Sequence, residues 1–121
     1  MNRVLIYFIL LLSIIAKGEP QFRDKLSRQE WKNEITESLT KKICEPKSYF
    51  VTCYSVTSGR CRAELPKLTK ACFPQRLPSS IDLHNEGIFY GATLGRCVGQ
   101  KYDELFHEKY KAIAECRNYQ K

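Results

Sequence analysis

Apolar residues recur at every fourth position between residues 31 and 43, and this spacing predicts the clearest helix of the chain. Ser27 and Glu30 have the spacing of a capping box, in which each side chain accepts a hydrogen bond from a backbone N–H at the helix start. The sequence therefore predicts a helix from about residue 28 to 43 that ends before Pro46. Its apolar stripe consists of Trp31, Ile35, Leu39 and Ile43.

The next two segments are less uniform. Residues 48–56 are rich in aromatic and β-branched residues, which favour a strand, but Ser48 can cap a short helix. We expect a helix, because a lone strand among helices would have no partner. Residues 59–72 predict a longer helix, capped by Thr57 or Ser58. Its apolar stripe consists of Cys61, Leu65, Leu68 and Cys72.

Two features interrupt this pattern. Pro66 lies inside the helix predicted for residues 59–72, and we expect a kink or a break there. A proline removes one N–H and crowds the carbonyl four residues earlier, which here is that of Arg62. Residues 73–80 contain two prolines and read as a loop.

Glycines recur at every fourth position of the segment 86–99, which we also expect to be helical. They are Gly87, Gly91, Gly95 and Gly99. Each interior glycine costs about 1 kcal/mol relative to alanine, so we expect compensation from a neighbouring helix packed unusually close. Two other interpretations stay open, namely a groove for a ligand or partner and a glycine zipper that inserts into a membrane. Arg96 and the short apolar run argue against the zipper.

The pattern predicts a last helix over residues 101–118. Its apolar stripe consists of Tyr102, Leu105, Phe106, Tyr110, Ile113 and Cys116. Asp103 and Glu104 near its start and Arg117 near its end complement the helix dipole. The expected fold is therefore all-α, a compact bundle of four to five short helices.

The N-terminal segment, residues 1–18, has the pattern of a cleavable signal peptide. Arg3 precedes an apolar run from Val4 to Ile15, and Ala16 and Gly18 supply small residues before the cleavage point. The twelve residues of this run, interrupted only by Ser13, span about 18 Å as a helix, which is too short to cross a bilayer, so we expect no stable membrane span. Residues 19–26 read as a polar lead-in, and residues 27–121 as a single domain.

Six cysteines follow the predicted cleavage point, and an even number in a small exported chain predicts three disulfides. Fifteen pairings are possible, and the spacing does not choose among them. A zinc site is the alternative, but the chain has no Cys-x2-Cys pair, so we expect no metal and no cofactor. The cysteines are Cys44, Cys53, Cys61, Cys72, Cys97 and Cys116.

The chain is basic, with a formal net charge of +7 that falls to +5 without Arg3 and Lys17. Basic residues are dense in the middle of the chain, where Glu64 is the one acidic residue among them. These candidate binding residues are Arg60, Arg62, Lys67, Lys70 and Arg76. Such a face would attract an acidic protein or an anionic surface. Nucleic acid is a less favoured partner, and a merely solvated surface is the simpler alternative.

Candidate catalytic residues are few. The two histidines are His84 and His107, and neither lies in a recognisable catalytic motif. Glu104 and His107 have a Glu-x-x-His spacing, but one copy supplies only two metal ligands. Nucleophile-elbow, His-Glu-x-x-His and P-loop motifs are absent. The sequence therefore favours a binding protein over an enzyme, and it does not indicate an oligomeric state.

Cysteine spacing also carries a resemblance over roughly residues 44–116. The string SYFVTCYSVTSGRC, a later cysteine, a proline-containing loop and GATLGRCVGQKY resemble small exported cysteine-patterned proteins of Gram-negative bacteria. The resemblance implies a bacterial periplasmic or secreted setting and no catalytic residue. We therefore expect an exported binding protein that recognises an acidic macromolecule. The alternatives are a small secreted hydrolase using His107 and a membrane-active toxin using the glycine-rich helix.

Overall fold

A computed structural model describes residues 24–118, so the predicted signal peptide and residues 19–23 lie outside the described part of the chain. Within it, helices dominate and a two-stranded sheet is added. In chain order the elements are β1 (Lys25–Ser27), α1 (Arg28–Ile43), α2 (Tyr49–Cys53), α3 (Ser58–Cys72), β2 (Ser80–Asp82), α4 (Glu86–Phe106), a 3-10 helix (His107–Lys109) and α5 (Ala114–Asn118).

The first three helices begin at side chains that cap them. The N–H of Glu30 donates to Ser27 Oγ and the N–H of Ser27 donates to Glu30 Oε2, both at 3.2 Å. Ser48 Oγ accepts from the N–H of Val51 at 3.2 Å, so the segment 48–56 contains the expected helix. Thr57 Oγ1 accepts from the N–H of Arg60 at 3.1 Å and caps α3. The predicted capping box of α1 is therefore confirmed.

The core forms around α3, which packs against both α1 and α4. Leu65 of α3 and Leu94 and Val98 of α4 are fully buried, and Trp31 of α1 is almost so. Burial of these side chains removes apolar surface from water, which is the main favourable contribution to folding. The expectation of a compact helical bundle is confirmed.

Three disulfides join the helices. Cys44, at the end of α1, is bonded to Cys61 in α3. Cys53 at the end of α2 is bonded to Cys116 in α5, and Cys72 at the end of α3 is bonded to Cys97 in α4. All six cysteines are thus paired, which confirms the predicted disulfide framework and supplies the pairing that the spacing left open.

The predicted polar lead-in, residues 19–26, is wrong at its C-terminal end. Lys25–Ser27 form β1, which pairs antiparallel with β2 and places Leu26 opposite Ile81. Leu26 is only 5% exposed and Ile81 is fully buried. A strand thus forms here because a partner strand supplies its hydrogen bonds and the core takes one face. The partner strand lies beyond α3 in the sequence, out of the reach of a local pattern.

The prediction of separate helices at 86–99 and 101–118 is also wrong. One helix, α4, runs from Glu86 to Phe106, and the chain then leaves the helical path at Tyr110. The N–H of Lys111 donates to the carbonyl of Cys53 at 2.7 Å, next to the disulfide of Cys53 with Cys116. These links to α2 hold residues 110–113 out of a helix, and α5 is only five residues long.

α3 does not break at Pro66. The helix is continuous from Ser58 to Cys72. Cys61, Leu65 and Thr69 are buried along one face, and Thr69 Oγ1 donates to the carbonyl of Leu65 at 2.8 Å. Packing on both sides of the proline offsets the lost backbone hydrogen bond, so the predicted break is absent.

Candidate binding groove

The predicted basic residues of α3 lie on two sides of the helix. Arg60 Nη2 lies 3.5 Å from Glu64 Oε1, and Lys67 Nζ lies 3.9 Å from the same oxygen. Arg62 and Lys70 instead line cavities shared with α1. The single basic face expected from the sequence is therefore divided, and Glu64 partly neutralises one half. The fifth candidate residue, Arg76, is exposed in the loop that follows α3.

A surface groove runs between α1 and α3, and we call it the α1–α3 groove. It comprises two cavities of about 550 Å³ and 310 Å³ that share Asn33, Thr36 and Pro66. The two helices run antiparallel along it, because Lys41 of α1 shares one cavity with Arg62 and Lys32 shares the other with Lys70. The lining of the groove includes Lys32, Asn33, Thr36, Glu37, Thr40, Lys41, Arg62, Pro66, Lys70 and Phe73.

Four cations line this groove against one carboxylate. Lys32, Lys41, Arg62 and Lys70 carry positive charge, and Glu37 carries negative charge. Between residues 24 and 118, no acidic side chain lies within ion-pair distance of any of the four. Like charges held along one groove raise the local positive potential, so the groove favours an anionic ligand.

Oxygen atoms that can accept hydrogen bonds lie in the wall of the groove. Pro66 has no N–H, so the carbonyl of Arg62 lacks its usual donor within the helix. Thr36 Oγ1 donates to the carbonyl of Lys32 at 2.7 Å and keeps its lone pairs free to accept. The groove thus offers hydrogen-bonding groups as well as charge.

An aromatic ring lines one end of the groove. The Nζ atom of Lys32 lies 5.2 Å from the centre of the Phe73 ring. This distance is within the range of a cation–π interaction, which orients the ammonium group over the ring. Phe73 also contacts Trp31, with ring centres 6.2 Å apart, so the end of the groove is anchored to the core.

Sequence reasoning missed the contribution of α1 to the groove. Lys32, Thr36 and Thr40 each follow a residue of the apolar stripe by one position. That register places them beside the buried face, where a neighbouring helix borders them. The signal was therefore present in the spacing, but the identity of the neighbour was needed to use it.

The glycine stripe of α4 does not hold a neighbouring helix unusually close. A Cβ atom added to Gly95 would meet nothing within 4 Å, and at Gly91 and Gly99 it would meet side chains at 3.9 Å. Only at Gly87 is the space tight, because the carbonyl oxygen of Asp82 would lie 3.3 Å away. The expected packing groove is therefore corrected to one close contact, between the start of α4 and the end of β2.

A second, apolar depression lies between α1 and α4, and we call it the α1–α4 cleft. Its volume is about 270 Å³, and its lining includes Trp31, Ile35, Leu83, Gly87 and Ile88. Ile88 is 67% exposed, and the neighbouring Phe89 is 66% exposed. The cleft and these two side chains form an apolar surface on the side of α1 away from the α1–α3 groove.

His107 does not line either depression. Its Nδ1 lies 3.6 Å from Asp103 Oδ1, and the side chain is 73% exposed. Asp103 also accepts a hydrogen bond of 2.5 Å from the hydroxyl of Tyr54, and burial, followed by this bond, raises the pKa of Tyr54. The acid beside His107 therefore serves the packing of a buried tyrosine.

The other candidate for chemistry, His84, is similarly exposed. Its Nε2 lies 3.2 Å from Asp24 Oδ1 at the surface. The N–H of His84 donates to Asp82 Oδ1 at 2.9 Å, and this bond lowers the pKa of Asp82. In residues 24–118, no group of three or more His, Cys, Asp or Glu side chains could hold a metal ion.

Comparisons with known proteins add no family to this description. The chain matches no protein-family model, no curated protein and no solved structure. Among the helices of residues 24–118, none is both long and apolar enough to cross a membrane. The resemblance to small exported cysteine-patterned bacterial proteins therefore stays a prediction, and the α1–α3 groove is the feature that bears most directly on function.

Proposed function

We propose that this protein is an exported, non-enzymatic binding protein and that its α1–α3 groove accepts an acidic segment of a partner protein. The observation that carries the proposal is the set of four cations along one groove, none of them in an ion pair within the described residues. Two of them, Arg62 and Lys70, belong to the basic set that the sequence singled out. The other two, Lys32 and Lys41, come from α1.

Export is supported by two independent features. Residues 1–18 have the pattern of a cleavable signal peptide. The three disulfides are of a kind that persists in oxidising compartments and is rare in the cytosol. Together with the resemblance to exported bacterial proteins, these features favour the bacterial periplasm or the extracellular medium.

The chemistry of the groove favours an acidic protein segment over nucleic acid. Proteins that bind single strands stack bases on exposed aromatic rings. The one aromatic ring of the groove, Phe73, is paired with Lys32 and packed against Trp31. A flat anionic bilayer would contact protruding cations and leave a recess between two helices unfilled.

The test compares two double variants with equal changes of charge. Arg62→Glu with Lys70→Glu reverses charge inside the groove, whereas Arg60→Glu with Lys67→Glu reverses charge on the other side of α3. Binding of poly-L-glutamate to the oxidised protein is measured by calorimetry over a range of salt concentrations. We expect the groove variant to bind more weakly and with a smaller salt dependence, and the control variant to keep the affinity and salt dependence of the unmodified protein.

Equal losses in the two variants would show that net charge alone controls binding and would contradict the proposal. Parallel titrations with phosphatidylglycerol vesicles and with a single-stranded oligonucleotide identify other partners. If either probe binds more tightly than poly-L-glutamate and the same groove variant weakens that binding, the ligand is a molecule of that probe's class and not an acidic protein segment.

A further inference from the structure

The four cations of the α1–α3 groove form two pairs, one at each end. Lys32 and Lys70 line the cavity that Phe73 also lines, and Lys41 and Arg62 line the other cavity. Nine positions separate Lys32 from Lys41, and eight separate Arg62 from Lys70. At about 1.5 Å of rise per residue, the two pairs are therefore about 12–14 Å apart along the groove.

Between the two cation pairs the groove is polar, and Glu37 is the one charged residue that lines it there. Asn33, Thr36 and Pro66 belong to both cavities and so lie between the pairs. Thr36 Oγ1 has lone pairs free to accept, and the carbonyl of Arg62 lacks its usual intrahelical donor. A ligand that carries its own donors and acceptors along its length would satisfy these groups.

An extended chain has such groups, and a helix does not. The backbone N–H and C=O groups of a helix are bonded within the helix, and a docking helix uses an apolar stripe to fill an apolar groove. An extended segment leaves its backbone groups free, and its alternate side chains point to the same side. At about 3.3 Å per residue, positions i and i+4 of an extended segment lie about 13 Å apart and on the same side.

Resting on the proposed function, we infer that the ligand is an extended segment with acidic residues at positions i and i+4. One carboxylate binds between Lys32 and Lys70, and the other binds between Lys41 and Arg62. Arg62 can hold its carboxylate with two parallel hydrogen bonds, which a lysine cannot do. Glu37 in the same cavity reduces the charge at that end, so the geometry of Arg62 carries more of the selectivity there.

The test is a series of capped peptides of equal composition, each with two glutamates in a Ser/Gly background. The glutamates are placed at i and i+2, i and i+4, or i and i+6, which keeps both on one side of an extended chain. A helix-forming alanine-based peptide with glutamates at i and i+8 presents the same separation on a helix. Affinities are measured by chemical-shift titration of the oxidised protein, followed at the side-chain N–H of Arg62.

We expect the i, i+4 peptide to bind about fivefold more tightly than the other extended peptides, as two weak charged contacts acting together would give. Lys70→Ala removes one end of the groove and should abolish this preference. Lys67→Ala, an equal change on the other side of α3, should preserve it. Thr36→Val should weaken all extended peptides equally, because it removes a hydroxyl that can accept from the peptide backbone and removes no charge.

The outcomes separate this inference from the function on which it rests. Equal affinity for every spacing, with poly-L-glutamate still bound, would overturn the two-ended site and leave the acidic-segment function standing. A preference for the helical peptide would overturn the extended ligand. Failure of poly-L-glutamate and of all the peptides to bind would overturn both proposals.

Discussion

The hydroxyl of Tyr102 donates a hydrogen bond of 2.9 Å to the carbonyl of Phe50, which joins the second half of α4 to α2. The ring of Tyr102 also lies edge-on to the rings of Phe50 and Tyr54, with centres 5.1 Å and 5.3 Å away. Tyr102 is fully buried. This contact connects the long helix α4 to the short helix α2 where no disulfide joins them directly.

Removing only this hydroxyl should destabilise the fold. In Tyr102→Phe the ring stays and the carbonyl of Phe50 loses its donor, so we expect the free energy of unfolding to fall by about 1–2 kcal/mol. Tyr90→Phe is the matched control, because the hydroxyl of Tyr90 has no hydrogen-bond partner within residues 24–118. Urea unfolding of the oxidised proteins measures both changes. A loss in Tyr90→Phe as large as that in Tyr102→Phe would contradict the assignment.

The same residue predicts a loss of stability at alkaline pH. Burial raises the pKa of Tyr102 to about 12, whereas an unfolded tyrosine has a pKa of about 10. Between these values the unfolded chain releases the proton and the folded protein retains it, so the free energy of unfolding falls as pH rises from about 10 to about 12. The decrease should be smaller in Tyr102→Phe. Equal slopes in the two proteins would show that Tyr102 does not contribute.

The glycines of α4 predict opposite effects of one substitution at two positions. Gly95→Ala adds a Cβ with nothing within 4 Å, so the higher helix propensity of alanine should raise the free energy of unfolding by about 1 kcal/mol. Gly87→Ala places its Cβ 3.3 Å from the carbonyl oxygen of Asp82, and that backbone atom cannot move without disturbing β2. We expect the gain in the free energy of unfolding to be absent or reversed in Gly87→Ala. Thermal unfolding of both variants compares them, and equal stabilisation would contradict the close contact at Gly87.

Local patterns predicted the parts of the fold that depend on neighbours in sequence. The capping box of Ser27 and Glu30 and the stripe from Trp31 to Ile43 act within a few turns, and α1 has the predicted bounds. The strand around Leu26 and the break at Tyr110 depend instead on partners in distant parts of the chain, namely Ile81 and Cys53. A pattern read along the chain contains no information on such contacts.

The candidate site was predictable only in part for the same reason. Charge density singled out Arg62 and Lys70 together with Arg60 and Lys67, but it could not show that the last two are paired with Glu64. It could not show either that Lys32 and Lys41 face Arg62 and Lys70 across a groove, because the packing of α1 on α3 decides this. The positions of the cations around α3 place them on two sides of that helix. The packing of α1 on α3 then brings two of them close to cations of α1.

Asp103 should control the titration of the tyrosine in contact with it. Burial, and then the hydrogen bond and negative charge of Asp103, raise the pKa of Tyr54. Asp103→Asn keeps an acceptor and removes the charge, so the pKa of Tyr54 should fall while the protein remains folded. Titration of phenolate absorbance in the variant and the unmodified protein detects the shift of one tyrosine to lower pH.

His107→Ala is the control for this prediction, because it removes the exposed neighbour of Asp103 and leaves the bond to Tyr54 in place. We expect the free energy of unfolding of His107→Ala to stay within about 0.5 kcal/mol of that of the unmodified protein, as is usual for exposed positions. An unchanged tyrosine titration in Asp103→Asn would show that Asp103 does not hold the proton on Tyr54. A large loss of stability in His107→Ala would instead show that Asp103 and His107 stabilise the fold together. We do not expect this, because the two side chains are exposed and lie 3.6 Å apart.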